Sequence, residues 1–221
     1  MKMHAMLKII LPYFFCSLAA YLAGAVNFAW LVARKRGIDI QKKGSGNPGT
    51  TNVGRVMGLS AAAVVFVGDV LKAAAMVFAA RFLFSDSPGI GEVTTLACVL
   101  GHMYPFYLDF KGGKGVAVLL GAVLGTNGRV FLLLIGVLLV IAFLTDHLFL
   151  GNLSAVAGFW IWSFLAGKRP AELLVLFIAV ALSFWKHRGN FKRLFAGEEK
   201  GLRRTFREKR EKKRESGKDL L

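Results

Sequence analysis

Acidic residues are scarce in this chain: 13 Asp and Glu face 29 Lys and Arg, a formal net charge of +16. An excess of that size can mark a nucleic-acid binder, but its distribution argues against one. Fourteen of the basic residues follow Phe184 and six lie between Arg34 and Arg55. Both clusters flank apolar runs, as the cytoplasmic loops of membrane proteins do, so no nucleic-acid partner is expected. Cysteine is scarcer still. Cys16 and Cys98 both fall inside apolar stretches, without disulfide or metal spacing. The histidines, His4, His102, His147 and His187, are scattered, and no pair has the spacing of a zinc site. No metal and no cofactor is expected.

What the chain has in plenty is apolar sequence, 55% of 221 residues. That composition points to an all-α integral membrane protein. The first apolar run, about 9–33, resembles a signal peptide around Ser17-Leu18-Ala19-Ala20, but it continues past that point into Arg34-Lys35-Arg36 and is read as a retained span. Further helices are expected at about 59–84, 92–108, 116–125, 130–144, 148–165 and 171–185. Pro105 should bend or end the third. The break at Thr126-Asn127-Gly128-Arg129 decides the count, because two helices there return the basic tail to the cytoplasm. The expectation is a seven-helix bundle over residues 1–186, N-terminus outside, followed by a basic cytoplasmic tail at 187–221. The stretch 116–125 is too brief to cross ~30 Å of hydrocarbon and should be partly inserted. From Lys200 onward the tail reads as a solvated helix or disordered segment with weak affinity for anionic lipid.

Three polar, glycine-bearing stretches fall on one side of the membrane in this count: residues 44–58, 109–115 and 187–193. They are read as cytoplasmic loops that together form an anion-binding concavity with one titratable imidazole. Five of the fifteen residues in 44–58 are glycine, and Ser45, Asn47, Thr50, Thr51, Asn52 and Arg55 supply hydroxyls, amides and a guanidinium. Lys111, Gly112, Gly113 and Lys114 form the second loop; His187, Arg188, Asn190, Lys192 and Arg193 the third. Asp69 and Lys72 lie three apart inside the second apolar run, where they share a helix face and can pair. Such chemistry suits a phosphorylated substrate beside a lipid or acyl chain.

Three familiar patterns fail. Gly44-Ser45-Gly46-Asn47-Pro48-Gly49 fits a dinucleotide fingerprint, but it follows no strand and carries Pro48 where the turn should feed a helix. Lys111-Gly112-Gly113-Lys114-Gly115 lacks the spacing and hydroxyl of a P-loop. Five places after His102, His147 and His187 stand Tyr107, Asn152 and Lys192, so the His-x4-Asp acyltransferase site is missing.

Ser45-Gly46-Asn47-Pro48-Gly49-Thr50-Thr51-Asn52-Val53-Gly54-Arg55, Gly101-His102 with Phe110-Lys111-Gly112-Gly113-Lys114-Gly115-Val116-Ala117, and His187-Arg188-Gly189-Asn190-Phe191-Lys192-Arg193-Leu194 resemble three signatures of one family. It is the bacterial acyl-phosphate-dependent glycerol-3-phosphate acyltransferases of the PlsY type; Asp69-Val70-Leu71-Lys72 resembles its second helix. The resemblance implies a seven-helix inner-membrane enzyme that moves a fatty acyl group from acyl phosphate to the 1-hydroxyl of glycerol 3-phosphate. The products would be lysophosphatidic acid and phosphate, the first step of phospholipid synthesis. Acyl phosphate, glycerol 3-phosphate, membrane lipid and the enzyme that makes acyl phosphate are the implied partners. Carried over by motif, His187, Asn190 and Ser45 would be catalytic, with Arg55, Lys114, Asn47, Gly49, Thr51, Asn52, Gly112, Gly113 and Lys111 binding substrate. Asp69, Lys72 and His102 would support the site. His187 would either accept the hydroxyl proton or bind the glycerol phosphate.

Two departures from the family pattern stand out. Leu148-Phe149-Leu150 occupies the place of small hydroxyl residues, so any phosphate contact there must be lost or replaced, with Thr145 or His147 as the candidates. Thr50 stands where Ala is usual. The competing reading is a transporter or flippase for an organic phosphate, since short helices and glycine breaks suit transporters too. No inverted repeat is evident in its favour.

Overall fold

The structure is a computed structural model describing residues 2–205 and 207, with side chains from Met6 onward. Among the described residues the elements run in order α1 Lys2–Ala25, α2 Phe28–Arg34, α3 Thr50–Met57, α4 Leu59–Leu83, α5 Ile90–Met103, α6 Val116–Leu124, α7 Gly128–Thr145, α8 Leu148–Leu165, α9 Pro170–Lys186 and α10 Arg188–Phe195. A 3-10 turn, Phe106–Leu108, stands between α5 and α6. Among the described residues there is no strand, and the protein is integral to the membrane.

α6 occupies the centre. Its side chains are apolar on every face, as suits a helix enclosed by other helices. Val118, Leu119, Leu120 and Val123 are at most 1% exposed, packed among α4, α5, α7, α8 and α9. Large apolar side chains are instead exposed on the outer helices, Phe14 on α1, Phe82 on α4, Phe143 on α7 and Leu174 on α9 among them. An apolar surface of that extent belongs against lipid. Helix α1 lies close on α5 because each helix places a glycine against the other's backbone: a Cβ on Gly24 would overlap the Cys98 carbonyl, and one on Gly101 the Tyr21 carbonyl.

Among the described residues four helical segments, counting residues 6–34 as one, are long and apolar enough to cross a bilayer, or five with α9 and α10 as one bent span. α5 has 14 residues and α6 nine, too few at ~1.5 Å per residue to span the hydrocarbon unaided.

Four boundaries differ from the sequence expectation. The first span is broken at Val26 and Asn27. The break is stable because its freed backbone groups find partners: Lys72 Nζ donates to Gly24 O (3.0 Å) and Val26 O (2.7 Å), and Tyr107 Oη to Ala25 O (2.8 Å). Asn27 Oδ1 caps α2 by accepting from Trp30 N at 2.8 Å. The third span starts at Ile90 and ends at Met103, before Pro105 removes the next donor. Residues 50–57 form a helix instead of a loop, because Val53 packs with Ala29, Ala33, Ile40 and Val65 in a second apolar cluster. The stretch opened by His187 is likewise helical: α10 leaves α9 with a 42° bend.

Candidate active site

The three motifs meet in one cavity of about 290 Å³. Its polar lining is Ser45, Asn47, Gly49, Thr50, Thr51 and Arg55 from the first motif, Lys114 from the second, and His187, Asn190 and Arg193 from the third. Its apolar lining comes from Phe66 of α4, Ile135, Leu138 and Leu139 of α7, and Leu148 and Phe149 of α8. Asp69 and His102 also line it.

Local geometry explains how each group arrives. Residues 44–49 are pinned from both sides. Buried Asn52 accepts from Ser45 N (2.8 Å) and donates to Lys43 O (2.9 Å) and Ile40 O (3.2 Å), so its amide is engaged in shaping the loop. Asn27 Nδ2 donates to Pro48 O at 3.2 Å. The first turn of α3 then begins at Gly49, and its backbone N–H groups lack intrahelical acceptors, which favours an anion there. Lys114 is set by Ser183, whose hydroxyl donates to the Lys114 carbonyl at 2.9 Å.

The side chains of Lys114, Asn190, Glu199, Arg193 and Arg55 form one chain of contacts. Lys114 Nζ donates to Asn190 Oδ1, and Asn190 Nδ2 to Glu199 Oε1 (3.0 Å). Arg193 Nε lies 2.7 Å from Glu199 Oε2, and Arg55 Nη2 lies 3.5 Å from Oε1. Burial, reinforced by Arg193, Arg55 and Lys186, pulls the Lys114 ammonium down to about 8, against the opposing pull of Glu199. His187 is 1% exposed, and burial together with the Lys114 charge pushes its imidazole down to about 4. At neutral pH it is therefore uncharged. Its Nδ1 faces Ser183 O at 2.8 Å, and a carbonyl only accepts, so Nδ1 carries the hydrogen and Nε2 keeps its lone pair.

Not every expected residue reaches the cavity. Lys111 is exposed and outside its lining; its carbonyl accepts from Gln41 Nε2 at 2.8 Å. Gly112 N and Gly113 N bond back to Met103 O (3.0 Å) and His102 O (3.1 Å), closing the end of α5 instead of facing a ligand. Glycine is required there because a Cβ on Gly113 would overlap the His102 ring. Asp69 and Lys72 pair at 2.6 Å, with His102 Nδ1 3.6 Å from Asp69; Lys72 itself points to the α1 break. Thr145 and His147 do not stand in for the missing hydroxyls. Thr145 Oγ1 donates to Ile141 O (2.6 Å), and neither residue lines the cavity. Phe149 fills that wall, edge-on to Phe191 at 5.4 Å, and Asn152 one turn along is the polar group α8 presents. Sequence reasoning missed Asn27, Asn152, Ser183 and Glu199. Only the residue type of Asn27, a favoured N-cap, inside an otherwise apolar run hinted at its role.

Residues 14–197 match the family described as Glycerol-3-phosphate acyltransferase. The chain belongs to that family. A glycerol-3-phosphate acyltransferase of Clostridioides difficile is 37% identical over 198 residues, covering 87% of this chain and 97% of the relative. The one from Aquifex aeolicus is 36% identical over 185 residues, covering 84% and 96%. A crystal structure of PlsY, an integral membrane glycerol 3-phosphate acyltransferase, in its glycerol 3-phosphate form superposes with a TM-score of 0.82 at 35% identity, over 86% of this chain and 95% of that one. The lysophosphatidic acid form gives 0.79 at the same identity, over 86% and 94%.

Proposed function

We propose that the protein transfers a fatty acyl group from acyl phosphate to the 1-hydroxyl of sn-glycerol 3-phosphate, forming lysophosphatidic acid and inorganic phosphate. The observation that carries this reading is the cavity's polarity. One cavity is lined both by the cations Arg55, Lys114 and Arg193 and by apolar side chains from α4, α7 and α8, which suits a substrate pair that carries both phosphate and an acyl chain. Relatives named for glycerol 3-phosphate, and a similar structure determined with it, support the acceptor.

In this reading, Arg55 grips phosphate through its planar fork and Lys114 as a point charge. Ser45 and the first-turn amides of α3 hold the developing oxyanion. The glycerol 1-oxygen attacks the acyl carbon, the bond from that carbon to the phosphate oxygen breaks, and phosphate leaves with both electrons, taking up the proton of the attacking hydroxyl to depart as hydrogen phosphate. Acyl phosphate is already activated, so orientation and charge stabilisation supply the rate and no covalent enzyme intermediate is needed. Nε2 of His187 accepts the hydrogen bond of the attacking hydroxyl. A nitrogen whose proton affinity is pushed down to about 4 suits orientation better than full proton uptake. Asn190 fixes Lys114 beside it.

The same reading places the chain in a bacterial inner membrane with seven crossings, N-terminus outside and the basic tail in the cytoplasm, on the positive-inside rule. The deciding assay supplies palmitoyl phosphate and labelled glycerol 3-phosphate to protein purified in detergent or lipid. Lysophosphatidate should form, and Arg55→Ala should abolish it. Binding of glycerol 3-phosphate without turnover, or vectorial flux in vesicles, would sink the enzyme reading in favour of a transporter.

A further inference from the structure

Residues past α10 fold back onto the cavity, whose lining includes Glu199 and Lys200. The backbone N–H groups of Glu198 and Glu199 bond to Arg193 O at 2.8 and 3.1 Å. Farther on, Leu202 N bonds to Asp146 O at 2.8 Å and Arg203 N to Asp146 Oδ1 at 2.9 Å. Gly201 is buried between these anchors, where a Cβ would overlap the Asp146 carboxylate. The segment is thus a strap tied to α10 at one end and to the α7–α8 turn at the other. What it delivers is the Glu199 side chain, 3% exposed and directed among the site's cations.

A carboxylate only accepts hydrogen bonds. Asn190 must therefore turn its amide nitrogen to Glu199, at 3.0 Å, and its oxygen to the Lys114 ammonium. Arg193 is held at 2.7 Å by the other carboxylate oxygen. Arg55, at 3.5 Å, is the loosest partner, so it can turn to a phosphate while Glu199 stays with Asn190 and Arg193. Without the carboxylate, Arg55, Lys114 and Arg193 would face one another with only like charge between them.

We infer that Glu199 is a positioning residue of the phosphate site: it fixes the orientation of Asn190 and Arg193, and through Asn190 the Lys114 ammonium, for glycerol 3-phosphate. The inference rests on the reading of this cavity as the glycerol 3-phosphate site. The carboxylate also opposes the pull of its neighbours on Lys114, which is faced by Arg55 from α3, Lys186 and His187 from the end of α9, Arg193 from α10 and Glu199 from the strap. Losing the Glu199 charge should therefore let the Lys114 ammonium titrate at lower pH.

The experiment compares wild type, Glu199→Gln and Glu199→Asp at matched unfolding midpoints, measuring glycerol 3-phosphate binding by calorimetry and turnover against pH. Glu199→Gln should weaken binding and lower kcat/KM roughly tenfold, the scale of a charge-assisted hydrogen bond, and move the alkaline limb below its wild-type position near pH 8. Glu199→Asp keeps the charge but loses reach, so kcat/KM should fall while the limb stays. Binding and limb unchanged in Glu199→Gln would overturn the inference, and tighter binding would recast Glu199 as a carboxylate competing with substrate. Wild type that binds but does not turn over defeats the acyl-transfer reading alone, since binding still tests Glu199. Wild type that binds no glycerol 3-phosphate defeats both.

Discussion

Lys114 and His187 sit next to each other in the charge balance of the site, and each titrates away from its usual range for the same reason. Burial removes water from a cationic form, and nearby cations oppose it further. The consequences fall at opposite ends of the pH scale. Above about 8 Lys114 loses its proton and a phosphate grip with it, so kcat/KM for glycerol 3-phosphate should decline on the alkaline side. Lys114→Arg, charged at all accessible pH, should remove that limb even if it lowers the plateau. His187 stays neutral above about 4, so it contributes no limb to kcat/KM near neutrality. His187→Gln keeps a hydrogen-bond acceptor; if orientation is its role, KM should rise more than kcat falls. A loss of kcat of roughly a hundredfold or more, the lower range for general-base catalysis, would instead make it the proton acceptor.

Helix breaks and helix ends build the site more than loops do. The α1–α2 break exists because Asn27 offers three hydrogen-bonding groups at once: its N–H to Tyr107 Oη at 3.1 Å, its oxygen to Trp30 N, and its amide nitrogen to Pro48 O. Asn27→Ala therefore removes a helix cap and a loop anchor together. It should cost about 1–3 kcal/mol of stability and raise KM for glycerol 3-phosphate, both measurable on one preparation by thermal unfolding and initial rates. The end of α5 works similarly. Gly113→Leu should displace His102 from the cavity and lower the unfolding midpoint, while Lys111→Ala, whose side chain faces solvent, should leave KM within about twofold.

At the scale of the whole molecule, apolar side chains are exposed on the outer helices, and the basic residues cluster between Arg34 and Arg55 and after Phe184. Charge asymmetry of that kind sets orientation during insertion. A cysteine replacing exposed Ser85, between α4 and α5, should react with an impermeant maleimide from outside the cell. One replacing exposed Lys192 should react only after permeabilisation. Native background should be small because Cys16 and Cys98 are 7% and 0% exposed. Labelling of position 192 from outside would invert the proposed topology.

Hydropathy alone determined that the chain is helical and membrane-embedded, since an apolar run in lipid must satisfy its backbone internally and a helix does so without partners. Density of donors and cations, written in residue type, pointed to the three polar stretches, and their resemblance to the family's signatures singled out Ser45, Arg55, Lys114, His187 and Asn190 within them. Proximity is not written in residue type. Pro105 announced the end of the third span, but the break at Val26–Asn27 depends on Lys72 and Tyr107 arriving from elsewhere in the chain. The helicity of 50–57 depends on apolar neighbours outside its own sequence. Expectations about Lys200 onward reach the described residues only through 205 and at 207; position 206 and those from 208 lie outside them. Glu199 was indistinguishable from its neighbour Glu198 within a mixed-charge run. Only the strap's attachment to Arg193 and Asp146 turned one of the two carboxylates inward among the cations, because burial of a charge is decided by the partners that packing supplies.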